Sequence, residues 1–245
     1  MWHLRTGFGN TTVPKRRSEL IMSEFANVVP VQTRILPVVL ILDTSGSMRE
    51  DDKIDVLNES VLEMINELNE VDAGHGYITL TLITFGGENA KVIQRNTPVA
   101  SITFTPLKAG GKTPMGDAFL LASELIENQE EISSKAYRPT IALVSDGLPV
   151  PSLTDELDSL LRGKRGSKSS RFVIAIGADA DQEMLAKFSS TGDVRVASEA
   201  AEIRNFLQWV TNTVTQNTIT NLDSREKQKD LSDDSIKRLR QDDAF

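Results

Sequence analysis

The feature that most constrains this chain is an alternation of apolar runs with amphipathic helical patterns between about residues 36 and 216. The run at 35–43 is apolar until it ends on Asp43, as expected of a strand covered on both faces. The next segment, 52–70, places its apolar side chains on one helical stripe: Ile54, Leu57, Val61, Ile65 and Leu68. Alternating strands and helices of this kind indicate an α/β fold.

Further strands and helices follow the same pattern along the chain. Strands are predicted at 77–85, 99–106, 140–146, 171–177 and 194–196, and helices from Pro114 and around Met184 and Leu207. The segment 99–106 alternates apolar and polar residues and stops at a proline, which favours an edge strand. We therefore predict a doubly wound, mostly parallel sheet with one antiparallel edge strand and helices on both faces.

Composition excludes several classes of protein. The chain has no cysteine and two histidines, which excludes disulfides and thiolate metal sites and leaves any metal to oxygen ligands. A formal net charge of −8 argues against binding to nucleic acid or anionic lipid. The longest apolar run contains a proline and is far too short to span a membrane.

The two ends of the chain differ from its centre. Residues 1–21 are basic and lack the apolar core of a secretory signal, so we interpret 1–33 as a loose arm, with Met22 as the expected true start. The charge-dense segment 218–245 has few apolar residues and is expected to be a mobile tail. The folded domain is predicted at 34–217, and a cytoplasmic location is expected.

Three polar clusters follow predicted strands, where ligand sites form in open α/β sheets. They are DTSGSM at 43–48, GGKTPMGD at 110–117 and SDG at 145–147. Asp43 and Asp146 supply two carboxylates, and three hydroxyls come from Ser45, Ser47 and Thr113. This set of oxygens suits a hard octahedral cation such as Mg²⁺, with water in the remaining positions.

The pattern of Asp43, Ser45 and Ser47, with distant Thr113 and Asp146, resembles the metal-ion-dependent adhesion site of von Willebrand factor type A domains. The resemblance covers about residues 34–216, and all five positions match. It implies that these residues hold Mg²⁺, with Mn²⁺ or Ca²⁺ as alternatives. It also implies that the ion keeps one position open for an acidic residue of a partner protein, which would make the chain a non-enzymatic binding module.

Within that family, GGKTPMGDAF and VSDGLP are similar to segments of the cytoplasmic bacterial proteins of the tellurite-resistance group, the TerY-like proteins. That similarity implies a role in stress response or signalling. It also implies a kinase, a phosphatase or another stress-response protein as the partner.

Two other functions are compatible with the same residues. Carboxylates at strand ends also serve Mg²⁺-dependent phosphatases, although Ser45 stands where a second aspartate would act as general acid or base. A subunit of an ATP-driven chelatase or remodelling complex is the other alternative.

The basic segment 162–171 is interpreted either as a solvated connector or as a binding site for a phosphorylated or acidic partner.

Overall fold

The computed structural model describes residues 34–75, 77–146, 154–177, 180–218 and 220. The predicted arm at 1–33, Gly147 of the third polar cluster and the chain after residue 220 lie outside the described residues.

Within the described residues, one sheet contains six strands in the order β3-β2-β1-β4-β5-β6. The strands are β1 Leu36–Asp43, β2 Ile78–Phe85, β3 Ala90–Pro98, β4 Thr140–Ser145, β5 Ser170–Ile176 and β6 Arg195–Ala197. Only the β2–β3 pair is antiparallel, and the other four pairs in this part of the chain are parallel. The predicted fold class, with one antiparallel edge strand, is confirmed.

Helices cover both faces of the sheet. They are α1 Lys53–Asp72, α2 Met115–Glu127, α3 Thr154–Arg162, α4 Gln182–Phe188 and α5 at 201–218. Successive residues of β1 belong to different cores, since Leu40 packs with α1 and α5, whereas Ile41 packs with α2, α3 and α4. None of the helices in the described residues is long and apolar enough to cross a membrane.

The predicted position of the edge strand is wrong. Residues Val99–Ser101 form a 3₁₀ turn, and 102–110 have no regular structure. Ile102 and Phe104 are partly buried against the core, so the alternation reflects an extended segment that packs on the fold without pairing as a strand. The Asn58 side chain of α1 takes the place of a strand partner, because it donates to the Leu107 carbonyl (3.0 Å) and accepts from the Leu107 amide (2.7 Å).

The observed edge strand, β3, alternates between half-buried and exposed residues. Its exposed positions include charged side chains such as Lys91 and Arg95, and the sequence analysis predicted no strand in this segment. Charged residues are common on edge strands because they oppose pairing with other chains.

Candidate metal centre

The candidate site lies where two neighbouring parallel strands end. β1 ends at Asp43, and Asp146 directly follows the last residue of β4, so both carboxylates reach the same edge of the sheet. The Ser145 hydroxyl donates to Asp43 Oδ2 at 2.8 Å, and the Ser47 hydroxyl donates to Asp146 Oδ1 at 2.7 Å. The structure therefore links the two strand ends through their polar side chains.

The turn after β1 holds the two serines. The Ser45 amide donates to Asp43 Oδ1 at 2.8 Å, which closes a tight turn directly after the strand. Ser45 Oγ and Ser47 Oγ lie 3.1 Å apart. Hydrogen bonds thus join four of the five predicted ligands, Asp43 through the Ser45 amide and Ser45, Ser47 and Asp146 through their side-chain oxygens.

The glycine-rich loop that carries Thr113 is fixed against this turn by backbone hydrogen bonds. The Gly110 amide donates to the Thr44 carbonyl at 2.8 Å, and the Gly46 amide donates to the Gly111 carbonyl at 3.1 Å. Thr113 follows two residues after Gly111 and is half-buried. Its hydroxyl forms no hydrogen bond to the other four predicted ligands in the described residues, so the structure brings its loop to the site without linking the side chain.

Lys53 is a member of the site that sequence reasoning missed. Its ammonium group lies 2.9 Å from Asp146 Oδ2, where the Asp146 side chain is 1% exposed and the Lys53 side chain 15% exposed. Lys53 is the first residue of α1, a position that gives no sign that the side chain turns towards the strand ends. The ion pair supplies a positive charge to a buried carboxylate.

Burial changes the acidity of Asp43. Removal from water raises the pKa of this carboxyl from 3.8 to about 6, and the nearby Asp146 charge adds to the rise. Hydrogen bonds from Ser45 and Ser145 act in the opposite direction. A carboxyl that resists ionisation in this way gains from any positive charge placed next to it.

A pH dependence follows for the protein in EDTA. Between the unfolded pKa of 3.8 and the folded pKa of about 6, the folded chain keeps a proton on Asp43 that the unfolded chain has lost. The contribution of Asp43 to the free energy of unfolding therefore falls as pH rises through this window and then stays constant. We expect the stability of wild type to fall relative to that of Asp43→Asn over this range in urea unfolding, and parallel pH curves for the two proteins would contradict this.

Three oxygens of the site, those of Ser45, Ser47 and Asp146, have separations that ligands of a divalent cation can adopt. Ligand oxygens at about 2.1 Å from Mg²⁺ in an octahedron lie about 3 Å from one another. The separations of 3.1 Å between Ser45 and Ser47 and 2.7 Å between Ser47 and Asp146 are close to that value. No group of three or more His, Cys, Asp or Glu side chains in the described part of the chain could hold a metal, so an ion here depends on hydroxyls and water.

Comparison with known families agrees with the fold. Residues 38–148 match the family model for the von Willebrand factor type A domain. No curated protein matches the chain.

Three solved structures illustrate the likeness. The pilus adhesin SpaC from Lactobacillus rhamnosus GG superposes with a TM-score of 0.63 at 13% identity, over 76% of this chain and 31% of that one. Proximal thread matrix protein 1 from the mussel byssus, in a structure with a zinc-occupied MIDAS motif, superposes with a TM-score of 0.54 at 15% identity, over 73% of this chain and 47% of that one. The vWF domain of the pilus tip protein Mfa5 from Porphyromonas gingivalis superposes with a TM-score of 0.58 at 10% identity, over 76% of this chain and 97% of that one.

The chain spans less than half the length of SpaC and of the mussel protein. At these identities, the likeness concerns the fold.

Proposed function

We propose that this chain, whose residues 38–148 match the family model for the von Willebrand factor type A domain, is a metal-dependent protein-interaction module. The proposed ligands of its Mg²⁺ ion are Asp43, Ser45, Ser47, Thr113 and Asp146. The observation that carries the proposal is the connected group of hydroxyl and carboxylate oxygens at the ends of β1 and β4, spaced 2.7–3.1 Å apart. When bound, the ion supplies a coordination position that a carboxylate of the partner completes.

The chain's own residues determine how strongly such a site attracts an acidic partner. Three of the five proposed ligands are neutral hydroxyls, so only Asp43 and Asp146 offset the charge of a divalent ion. Lys53 already balances part of the Asp146 charge. The site as a whole therefore remains attractive to a carboxylate, although the chain carries a net charge of −8.

Thermal melting in Mg²⁺ against EDTA tests the metal site. At about ten times the dissociation constant, Mg²⁺ is expected to stabilise wild type by about 1.4 kcal/mol, which raises the melting temperature by about 3–6 °C. Asp43→Asn is the matched variant, because it keeps the size and hydrogen-bonding oxygen of the side chain and removes its charge. We expect no metal-dependent shift in this variant.

Equal shifts in wild type and Asp43→Asn would show that the ion binds elsewhere and would contradict the proposed site. Thermal melting in Mn²⁺, Ca²⁺ and Zn²⁺ ranks the ions by how far each raises the melting temperature. We expect Mg²⁺ and Mn²⁺ to act alike, because both favour octahedral oxygen ligands.

We further propose a cytoplasmic role in a bacterial stress response of the tellurite type, on the motifs at 110–119 and 144–149. The proposed binding domain is 34–217, flanked by an arm and a charged tail. Affinity capture on the full chain, in Mg²⁺ and in EDTA, tests the role. A kinase, phosphatase or stress protein retained by wild type in Mg²⁺ alone, and not by Asp43→Asn, supports it.

The proposal includes no catalytic activity. Ser45 stands two residues after Asp43, where a hydrolase of the alternative type would need a second carboxylate as general acid or base. A Mg²⁺-dependent phosphatase activity of wild type that is lost in Asp43→Asn would favour the hydrolase.

A further inference from the structure

A cavity whose lining differs in chemistry from the metal centre lies at the opposite end of the sheet. A cavity of about 220 Å³ lies between the residues that follow α2 and the loop that follows α3. Its lining includes four cationic side chains: Arg138, Lys164, Arg165 and Lys168. Pro139, one of the lining residues, directly precedes β4, so the six residues of β4, about 20 Å, separate this cavity from the metal centre.

Three of these four cations have no charge partner among the residues that the structure describes. Arg138, Lys164 and Lys168 are exposed, and their side chains form no ion pair or hydrogen bond in the described part of the chain. The carboxylate in the lining, Glu127, is already engaged, because its Oε1 accepts from the backbone amides of Arg165 (2.6 Å) and Gly166 (2.9 Å). The cavity therefore carries an excess of positive charge on a chain whose net charge is −8.

The loop that presents Lys164, Arg165 and Lys168 is held in a defined shape. Residues Gly166–Lys168 form a 3₁₀ turn, and Arg165 Nη1 donates to the Ile132 carbonyl at 2.5 Å. Gly166 is packed so closely that an added Cβ would lie 1.9 Å from the Leu160 carbonyl oxygen. Lys164 and Lys168 thus project from a fixed backbone, which lowers the entropic cost of gathering their charges around a ligand.

We propose that this cavity binds the phosphoryl group of a phosphorylated segment of a partner protein. A phosphoryl group carries a charge of about −1.5 to −2 and three acceptor oxygens, whereas a carboxylate carries −1 and two. The unpaired cations match the phosphoryl group better in charge and in number of donors. A nucleic acid fits less well, because its further phosphates would face an acidic protein beyond the cavity.

The test uses labelled peptide libraries with random uncharged flanks and a central phosphoserine, glutamate or serine. Binding to the full chain is measured by fluorescence anisotropy. We expect the phosphoserine library to bind at least about tenfold more tightly than the glutamate library. Lys164→Ala/Lys168→Ala is expected to lose at least about tenfold of that affinity.

The matched control is Lys91→Ala/Lys187→Ala, which removes the same charge from two exposed lysines outside the cavity. We expect this control to retain wild-type affinity. Equal losses of affinity in the two double variants would mean that binding depends only on overall charge, which would overturn the proposed site. Equal binding of the phosphoserine and glutamate libraries would overturn the phosphoryl assignment, and preference for an RNA oligonucleotide over the phosphoserine library would do the same.

Each titration is repeated in EDTA and in Mg²⁺. Because the cavity and the metal centre lie at opposite ends of β4, phosphopeptide binding is expected to be the same in both conditions. Loss of the Mg²⁺-dependent melting shift with retained phosphopeptide binding would reject the metal centre alone. A retained Mg²⁺-dependent melting shift with no phosphopeptide binding would reject the cavity as a phosphoryl site and leave the proposed metal centre standing.

Discussion

Replacing Gly86 with alanine is expected to lower the melting temperature by about 6–12 °C and to abolish the Mg²⁺-dependent shift. Gly86 directly follows β2, and an added Cβ would lie 2.3 Å from the Thr44 carbonyl oxygen and 2.4 Å from its hydroxyl. Displacing Thr44 is costly, because its amide donates to the Phe85 carbonyl and its carbonyl accepts from the Gly110 amide. Overpacking against fixed backbone costs about 3 kcal/mol, which corresponds to this fall in melting temperature.

Loss of metal binding is expected because Thr44 precedes Ser45 in the turn that carries both serines. A displaced Thr44 moves Ser45 and Ser47 away from Asp146, whose oxygen lies 2.7 Å from Ser47 Oγ. Differential scanning calorimetry in EDTA and in Mg²⁺ measures both effects in one series.

The neighbouring glycine provides the matched control. Gly87 has a φ of +79°, and an added Cβ there would have no atom within 4 Å. Gly87→Ala therefore reports only the strain of a left-handed backbone, about 1–2 kcal/mol, and is expected to keep its Mg²⁺-dependent shift. If the two variants lost the same stability and both kept the shift, close approach at Gly86 would have no role in the site.

The sequence predicted the parts of this molecule that depend on burial along a single segment. The run that became β1 is apolar at nearly every position because the strand is central and covered on both faces. Its end at Asp43, and the end of β4 before Asp146, followed from the same patterns. Their meeting at one edge needed only the rule that parallel strands share a carboxyl end.

Features that depend on contacts between distant segments were not predictable in this way. The ion pair of Lys53 with Asp146 joins residues 93 positions apart, and local sequence does not show which way a lysine at a helix start turns. The edge strand was misplaced because Ile102 and Phe104 alternate against the core as strand residues do. The fixed shape of the loop that carries Lys164 and Lys168 depends on Glu127, which accepts from the Arg165 amide 38 residues further along the chain. Assignment of the five metal ligands remains a prediction.

Removing the charge of Lys53 is expected to make the protein depend on its metal. In Lys53→Met, the buried Asp146 carboxylate loses the ammonium group that lies 2.9 Å from it. Breaking a buried pair costs about 3–5 kcal/mol, and partial exposure of Lys53 reduces this to about 2 kcal/mol. The melting temperature in EDTA is therefore expected to fall by about 4–8 °C.

Magnesium is expected to restore much of that loss, because a cation held by Asp146 and its neighbours replaces the missing positive charge. The Mg²⁺-dependent shift in Lys53→Met should then exceed that of wild type by about 2–4 °C. Lys53→Arg keeps the charge, and Lys91→Met removes an exposed lysine from β3, so both controls should show the wild-type shift. An unchanged shift in Lys53→Met would mean that the lysine and the ion do not share the Asp146 carboxylate, which would place any bound Mg²⁺ outside the proposed centre.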